Sequence, residues 1–513
     1  MDECYISPVP LEKLAVLPIV RIPLVVQEFC SQFAGVFTRR EQKESFEALI
    51  AGLSVSENRT IAGIHQLLLE GPTYERLHHF MTGSPWSIEK LAERRLQYVK
   101  EQIPSVLKKS EFSARITSAK PGMELVYCQP GKPIVPASET GEGLSNPVQL
   151  QDIEGSGLPV VTTLDATFIH HTGADIYGVY WYWDYANKKY TLAQRLVLST
   201  LVTPKKQIPL GWRLFHRGFL DEQELYLESV KPAPDADQAA WDEYNSLVED
   251  YERNKLGHRK QHDLAAELVD ENEQLGLKID AYVCDAALAV PELMDRIDGY
   301  NKAWVSRLAK NRLVQTEHAN GGFESIESFA QSLPKEVFKP ADVQTRHGQK
   351  RTYYCFSKCL MVRGWKKLRI VISYDNEKLE GEPIYLITNK KQWVQPQKIV
   401  QVYMMRDPIE HLIRDAKQEV GFEDCQQRNE DGVRKHWEIS FAAYTFLELG
   451  FEVPILPGVP AVRLETIGQK SRLIEGAMLA GFVNLVKQWV LEERDTGELI
   501  WEIMTRRLNR LAA

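Results

Sequence analysis

Seven cysteines in 513 residues is an odd number, and no two form a Cys-x-x-Cys pair. They stand at Cys4, Cys30, Cys128, Cys284, Cys355, Cys359 and Cys425. That scatter argues against a disulfide framework and fits a reducing compartment. Cys355 and Cys359 fall in the strand-like stretch RTYYCFSKCLMV, four apart and on one face. No second ligand pair accompanies them, so they read as core or surface thiols rather than half of a zinc site. Long apolar runs are also missing. None approaches the roughly 18 residues a membrane span needs. The first residues, MDECYISPVP, lack the basic start and apolar stretch of a secretion signal, which gives the expectation of a cytoplasmic protein. There is no internal repeat and no low-complexity tract. What remains is the composition of a soluble globular chain, 44% hydrophobic and 26% charged, too long for one ordinary core.

A net charge of -8 speaks against a nucleic-acid partner only until it is resolved along the chain. Residues 219–300 hold 21 acids against 7 bases, whereas residues 301–420 hold 21 bases against 13 acids. Affinity for a polyanion follows local phosphate contacts, not the whole-chain sum.

The periodicity divides the chain. Residues 25–109 carry apolar residues at helical spacing, with Ser56 and Ser87 as candidate N-caps and Gly52 and Gly71 as candidate stops. This gives a helical N-terminal domain over 1–117, a candidate for DNA binding or a plain helical bundle. Residues 118–158, rich in Pro, Gly and Ser, read as a linker. From 159 to 302 strands give way to alternating helix and strand, including one long charged helix over 239–275. That is an α/β domain with a mixed sheet. Residues 303–395 are strand-rich and read as a β insertion. The pattern then returns to the α/β domain over 396–449, and residues 450–513 read as a helical C-terminal region.

Three acids could do chemistry. Asp165 follows the apolar run PVVTTL, and Asp285 follows DAYVC in the same manner. An acid at the end of an interior strand is costly to desolvate unless a cation offsets it, and hard oxygen ligands suit Mg2+. Three carboxylates from separate elements can hold two ions about 3.5–4 Å apart for in-line displacement at phosphorus. Each acid also has a plainer reading. A strand-end Asp is usually a loop-start or cap residue. Asp407-Pro408-Ile409-Glu410 has the form of a capping box, with Glu410 satisfying first-turn amides.

On a helical wheel Ile409, Leu412, Ile413, Ala416 and Val420 make an apolar face. Glu410, Arg414 and Lys417 make a stripe about a quarter turn away, at the margin of the core. Tyr403 and Arg406 lie just upstream. Guanidinium and ammonium groups grip phosphates, and a tyrosine adds a stacking surface or a hydroxyl. His170 and His171 follow Asp165 closely and read as loop residues, with assistance to a metal as the competing role.

The spacing Tyr403, two residues, Arg406, three residues, Glu410, six residues, Lys417 resembles the Tyr-Arg-Glu-Lys signature of one branch of the bacterial insertion-sequence DDE transposases. The strand ending LDAT, the strand ending VCDAA and the following WVSRLAKNR strengthen the resemblance, which runs over roughly 160–445. It implies a ribonuclease-H-like mixed sheet with a β-rich insertion and helical N- and C-terminal regions. It implies Asp165, Asp285 and Glu410 as catalytic metal ligands for two Mg2+ ions, with Mn2+ as a substitute. It implies Tyr403, Arg406 and Lys417 as contacts to the transposon-end DNA, and Arg414, from the stripe on the wheel, joins them as an expected DNA-binding residue. The partners implied are double-stranded DNA, as transposon ends and target, and a second copy of the chain on paired ends. The activity implied is cleavage at the ends and joining of the 3′ hydroxyl to target DNA. In this branch a hairpin intermediate with a flipped base is common, so Trp365 and Trp393 are wedge candidates, with packing as their plainer role. Two other readings compete. One is a ribonuclease-H-like nuclease without strand transfer, and the other is a domesticated, non-catalytic DNA-binding protein.

Overall fold

A computed structural model describes residues 19–108, 158–184, 187–216, 218–346, 348–450 and 466–495, with Gly497 and Trp501. The linker stretch up to residue 157 lies outside the described residues. So do 1–18, 451–465 and most of the last 18 residues.

Five helices come first: α1 (Leu24–Ser31), α2 (Arg40–Val55), α3 (Ile61–Leu67), α4 (Tyr74–Thr82) and α5 (Ile88–Lys108). Hydroxyl caps set three of the starts. Thr60, Thr73 and Ser87 accept from the backbone N–H of Gly63, Arg76 and Lys90. Ser56 instead closes α2, and Gly52 lies inside that helix. A Cβ on Gly52 would stand 2.3 Å from the Ile64 side chain, so this glycine permits close α2–α3 packing and is not a stop.

The strands follow: β1 (Val161–His170), β2 (Tyr180–Asp184), β3 (Lys189–Val202) and β4 (Gln207–Phe215). Then come α6 (Gly218–Val230), α7 (Gln238–Gly257) and α8 (Gln261–Leu275). The single long helix expected over 239–275 is thus two. Lys260 is extended, and its N–H donates to the Asp263 carboxylate, which restarts the helix. After β5 (Ala281–Cys284) and α9 (Pro291–Gly299) the chain forms β6 (Ala303–Arg307), β7 (Leu313–Gln315), β8 (Phe323–Ser325) and α10 (Ile326–Ser332). Next are β9 (Lys339–Gln344), β10 (Lys350–Met361), β11 (Lys367–Tyr374) and β12 (Ile384–Thr388). Four helices complete the described chain: α11 (Pro396–Met404), α12 (Asp407–Glu419), α13 (Glu430–Leu449) and α14 (Ile467–Leu491).

One ten-stranded sheet runs β2-β3-β1-β5-β6-β12-β11-β10-β9, with β4 also on β3. β1, β5 and β6 are parallel, and the rest pair antiparallel. The order β4-β3-β1-β5-β6 is that of a ribonuclease-H-like core. β6 belongs to that parallel set. β9 to β12 extend the same sheet through β12, while β7 and β8 pair in a separate two-stranded sheet, so the larger part of the β-rich insertion is continuous with the core. The parallel strands are apolar on both faces, as interior strands must be. Leu164, Tyr282 and Trp304 point toward α8 and α9, while Val161, Val283 and Val305 point toward α11.

α13 is buried nearly all round. α2, α4, α5 and α14 pack about it, and Phe29, Phe33, Phe46, Trp437, Phe441 and Phe446 share one cluster. Each such side chain contributes roughly 2–3 kcal/mol by leaving water. The N-terminal helices are therefore part of the wall that supports the back of α12.

Candidate active site

The register of two parallel strands sets the first half of the site. Val161 to Leu164 pair with Ala281 to Cys284. One residue beyond that ladder on each strand stand Asp165 and Asp285. Alternation puts both on the face of Val161 and Val283, the face covered by α11. Asp165 is not at the end of its strand, because β1 continues to His170 against β3. It is at the end of the parallel pairing, where the backbone can open toward a neighbour. Ser306 on β6 holds that opening, its hydroxyl 3.1 Å from the carbonyl oxygens of both Cys284 and Asp285. One Asp285 carboxylate oxygen accepts from the Ala287 N–H at 2.7 Å.

The second half comes from the junction of α11 and α12. Met405 and Arg406 keep a tight, near-helical turn, and Arg406 has φ -76° and ψ -38°. Asp407 is consequently the first residue of α12 and not its cap, so the capping box does not form. Glu410 turns back to Arg406 instead, with Arg406 Nη1 donating to its Oε1 at 2.7 Å. Arg406 Nη2 donates to Asp165 Oδ2 at 2.6 Å. A single guanidinium thus ties Asp165 on the central strand to Glu410 on α12, across 241 residues of sequence.

Exposure differs sharply among these three. The side chains of Asp165 and Arg406 are 13% and 14% exposed, and that of Glu410 is 63% exposed. Burial pushes the Asp165 carboxyl up to about 6; Arg406 opposes this, and the nearby charges of Asp285 and Glu410 add to it. Burial by itself lowers the Arg406 pKa, but Asp165 and Glu410 reverse that and hold it above its ordinary value. Even so, Arg406 Nε is buried without a hydrogen-bond partner. Tyr403, at the end of α11, is half-buried in the apolar cluster under the site. Burial raises its hydroxyl pKa against the opposing charges of Arg406 and Arg307.

The other expected contacts are more dispersed. Lys417 is engaged within the protein, donating to the Phe168 carbonyl and pairing with Glu423 at 3.2 Å. Arg414 faces solvent beside Asp415. The apolar face of α12 is as the wheel gives it, with Ile409, Leu412, Ala416 and Val420 buried. The His170 ring meets the Thr191 hydroxyl at 2.9 Å, and the His171 ring meets Gln194 at 2.8 Å. Trp365 stacks on Trp304 at 5.7 Å, and Trp393 lies under the Lys398 ammonium at 4.6 Å. The Cys355 thiol is buried and meets the Ser373 hydroxyl. Arg307 and Ser306 were not singled out by spacing. Their signal was the stretch WVSRLAKNR, where a strand next to β5 ends in a cation.

Among the described residues no group of three or more His, Cys, Asp or Glu is gathered into metal-binding geometry. The donor chemistry nonetheless suits a hard divalent ion, because carboxylates of like charge converge here. The Arg406 guanidinium already stands as a cation between two of them. Among the described residues no helix is long and apolar enough to cross a membrane.

A search of curated proteins finds no match. Residues 238–446 match the family model described as "Transposase DDE domain", a span that includes Asp285 and Glu410 and begins after Asp165, and the match supports a DDE transposase family for this chain.

Proposed function

We propose that this chain is a DNA transposase of the Tyr-Arg-Glu-Lys branch, with Asp165, Asp285 and Glu410 as its acid triad. The observation that carries the reading is the Arg406 bridge from Asp165 to Glu410, beside the strand register that aligns Asp165 with Asp285. Two buried or half-buried acids side by side are unfavourable in a resting protein. Their convergence makes sense where positive charge is to be held.

Asp165, Asp285 and Glu410 would hold Mg2+ or Mn2+, which would supply Lewis-acid stabilisation of charge at a phosphorus centre. The protein's own residues do the remaining work. Arg406 neutralises the carboxylates before substrate arrives. Tyr403 and Arg307 line the approach to Asp285. Arg414 offers an exposed cation to a phosphate backbone. The products would be a cut transposon end and, on joining, a 3′ hydroxyl linked to target DNA, with two copies of the chain holding two ends.

The test uses a plasmid carrying the gene with its flanking DNA, incubated with the full chain and Mg2+. Cleavage at the flanks and joined products are expected from the wild type. Asp285→Asn should lower cleavage roughly a thousandfold, equivalent to several kcal/mol of transition-state stabilisation. Cutting without joining would reduce the reading to a nuclease. Cleavage untouched by Asp285→Asn would overturn the triad.

A further inference from the structure

The β2–β3 hairpin carries an exposed aromatic patch that nothing above uses. Trp181, Trp183 and Tyr190 are 58%, 40% and 66% exposed. Trp181 lies opposite Leu192 and Trp183 opposite Tyr190, so the three side chains share one face of the hairpin. Trp183 and Tyr190 meet edge to face at 5.2 Å.

That face is the face of the candidate active site. Asp165 pairs with Leu198 on β3, and the β1–β3 register runs without a break to His170 and Ala193. Counting back along β3 by twos from Leu198 reaches Leu192 and then Tyr190. The patch therefore begins about 20 Å and ends about 27 Å from the Asp165 level, at roughly 3.4 Å per residue.

Its chemistry is selective. The exposed side chains are aromatic, and the turn adds the exposed Lys188; Lys189 is exposed too, but lies opposite Asp184 on the other face of the hairpin. Asp184, the sole acid among described residues 180–192, is buried and accepts two hydrogen bonds from Asn187. Open ring faces beside the exposed Lys188 match a strand that offers both bases and phosphates.

We propose that this hairpin face is a stacking surface for an unpaired DNA strand leaving the candidate active site. The proposal rests on the DNA-acting reading above. Trp181 and Trp183 supply the ring faces, and Lys188 in the turn meets a phosphate.

The test compares the full chain with Trp181→Ala/Trp183→Ala, both carrying Asp285→Asn and free of divalent ions, so that binding is read without cleavage. The probes are a fluorescent single-stranded oligodeoxynucleotide and its duplex. Single-strand affinity should fall tenfold or more in the alanine variant while duplex affinity is kept, since each stacked base contributes substantially. Trp181→Phe/Trp183→Phe should retain most single-strand affinity, which separates loss of stacking from loss of folding. Unchanged single-strand affinity would overturn the proposal. So would an altered oligomeric state with DNA affinity intact, because the patch would then join two copies of the chain. Failure of Asp285-dependent cleavage in the plasmid assay would sink the catalytic reading and leave this binding result standing.

Discussion

Two arginines join distant parts of this chain to a carboxylate, and they do so in opposite ways. Arg95 on α5 is fully buried. It donates to Glu438 on α13 at 2.6 Å and to the carbonyls of Pro209 and Leu210 on β4. Glu438 is satisfied in turn, with its second oxygen 3.3 Å from Trp212 Nε1. Arg406 has one nitrogen buried without a partner. It serves two acids at once, and one of those is open to solvent. The first arrangement is closed and complete, and it fixes the N-terminal helices against the sheet. The second is crowded with like charge and incomplete, which is the condition of a site prepared for something else.

Breaking each bridge should expose that difference. Arg95→Ala leaves Glu438 buried and unpaired and orphans two carbonyls, so unfolding in denaturant should show a loss of about 3–5 kcal/mol. Arg406→Gln should cost much less, about 1 kcal/mol, because Asp165 is already shifted toward its neutral form and can take up a proton instead. Equal losses would remove the distinction between a structural and a functional arginine. Arg95→Met/Glu438→Leu should recover much of the first loss, as replacement of a buried pair by apolar volume often does.

The contrast also marks what could be read from the chain. The four typed residues from Tyr403 to Lys417 and the two strand-following aspartates were visible, because spacing and apolar runs are local signals. Their convergence was not, since it depends on parallel pairing between strands 120 residues apart. The strand-rich block from 303 was legible as strands, but not as an extension of the core sheet, because pairing partners leave no local mark. Helix periodicity revealed α2, α5 and α12. It merged α7 with α8, although Gly257 closes α7 just before the break at His258 to Lys260 and was a legible stop. The capping box over 407–410 failed for a similar reason. The pattern was right, but α11 runs into α12 so closely that the cap position is already helical.

His436 extends the comparison to a third buried polar group, one that titrates. It lies on α13, 7% exposed, and its Nε2–H donates to the Gly421 carbonyl at 2.7 Å. Burial lowers its pKa to about 4, from an ordinary value of 6.5. Between those values the unfolded chain holds a proton that the folded chain does not. Stability is therefore fully present above about pH 6.5 and is lost as pH falls toward 4, by roughly 3 kcal/mol. His436→Gln keeps a donor without the titration. Its denaturation free energy, measured from pH 7 to 4, should fall less steeply than that of the wild type by this amount. Parallel curves would show that the imidazole stays neutral in both states or is charged in both.

Arg414 gives the smallest effect on stability and the cleanest reading of surface charge. Its side chain is 55% exposed beside Asp415 on the same helix, and pairs of that kind are worth little. Arg414→Ala should change unfolding free energy by less than about 0.5 kcal/mol. Its value lies in DNA binding, where one lost phosphate contact should reduce the slope of log affinity against log salt by about 0.9. Arg406 cannot give that reading, because removing it also unties Asp165 from Glu410. A salt slope unchanged in Arg414→Ala would take this face of α12 off the path of the duplex, and the exposed Arg307 at the end of β6 would become the better place to look for it.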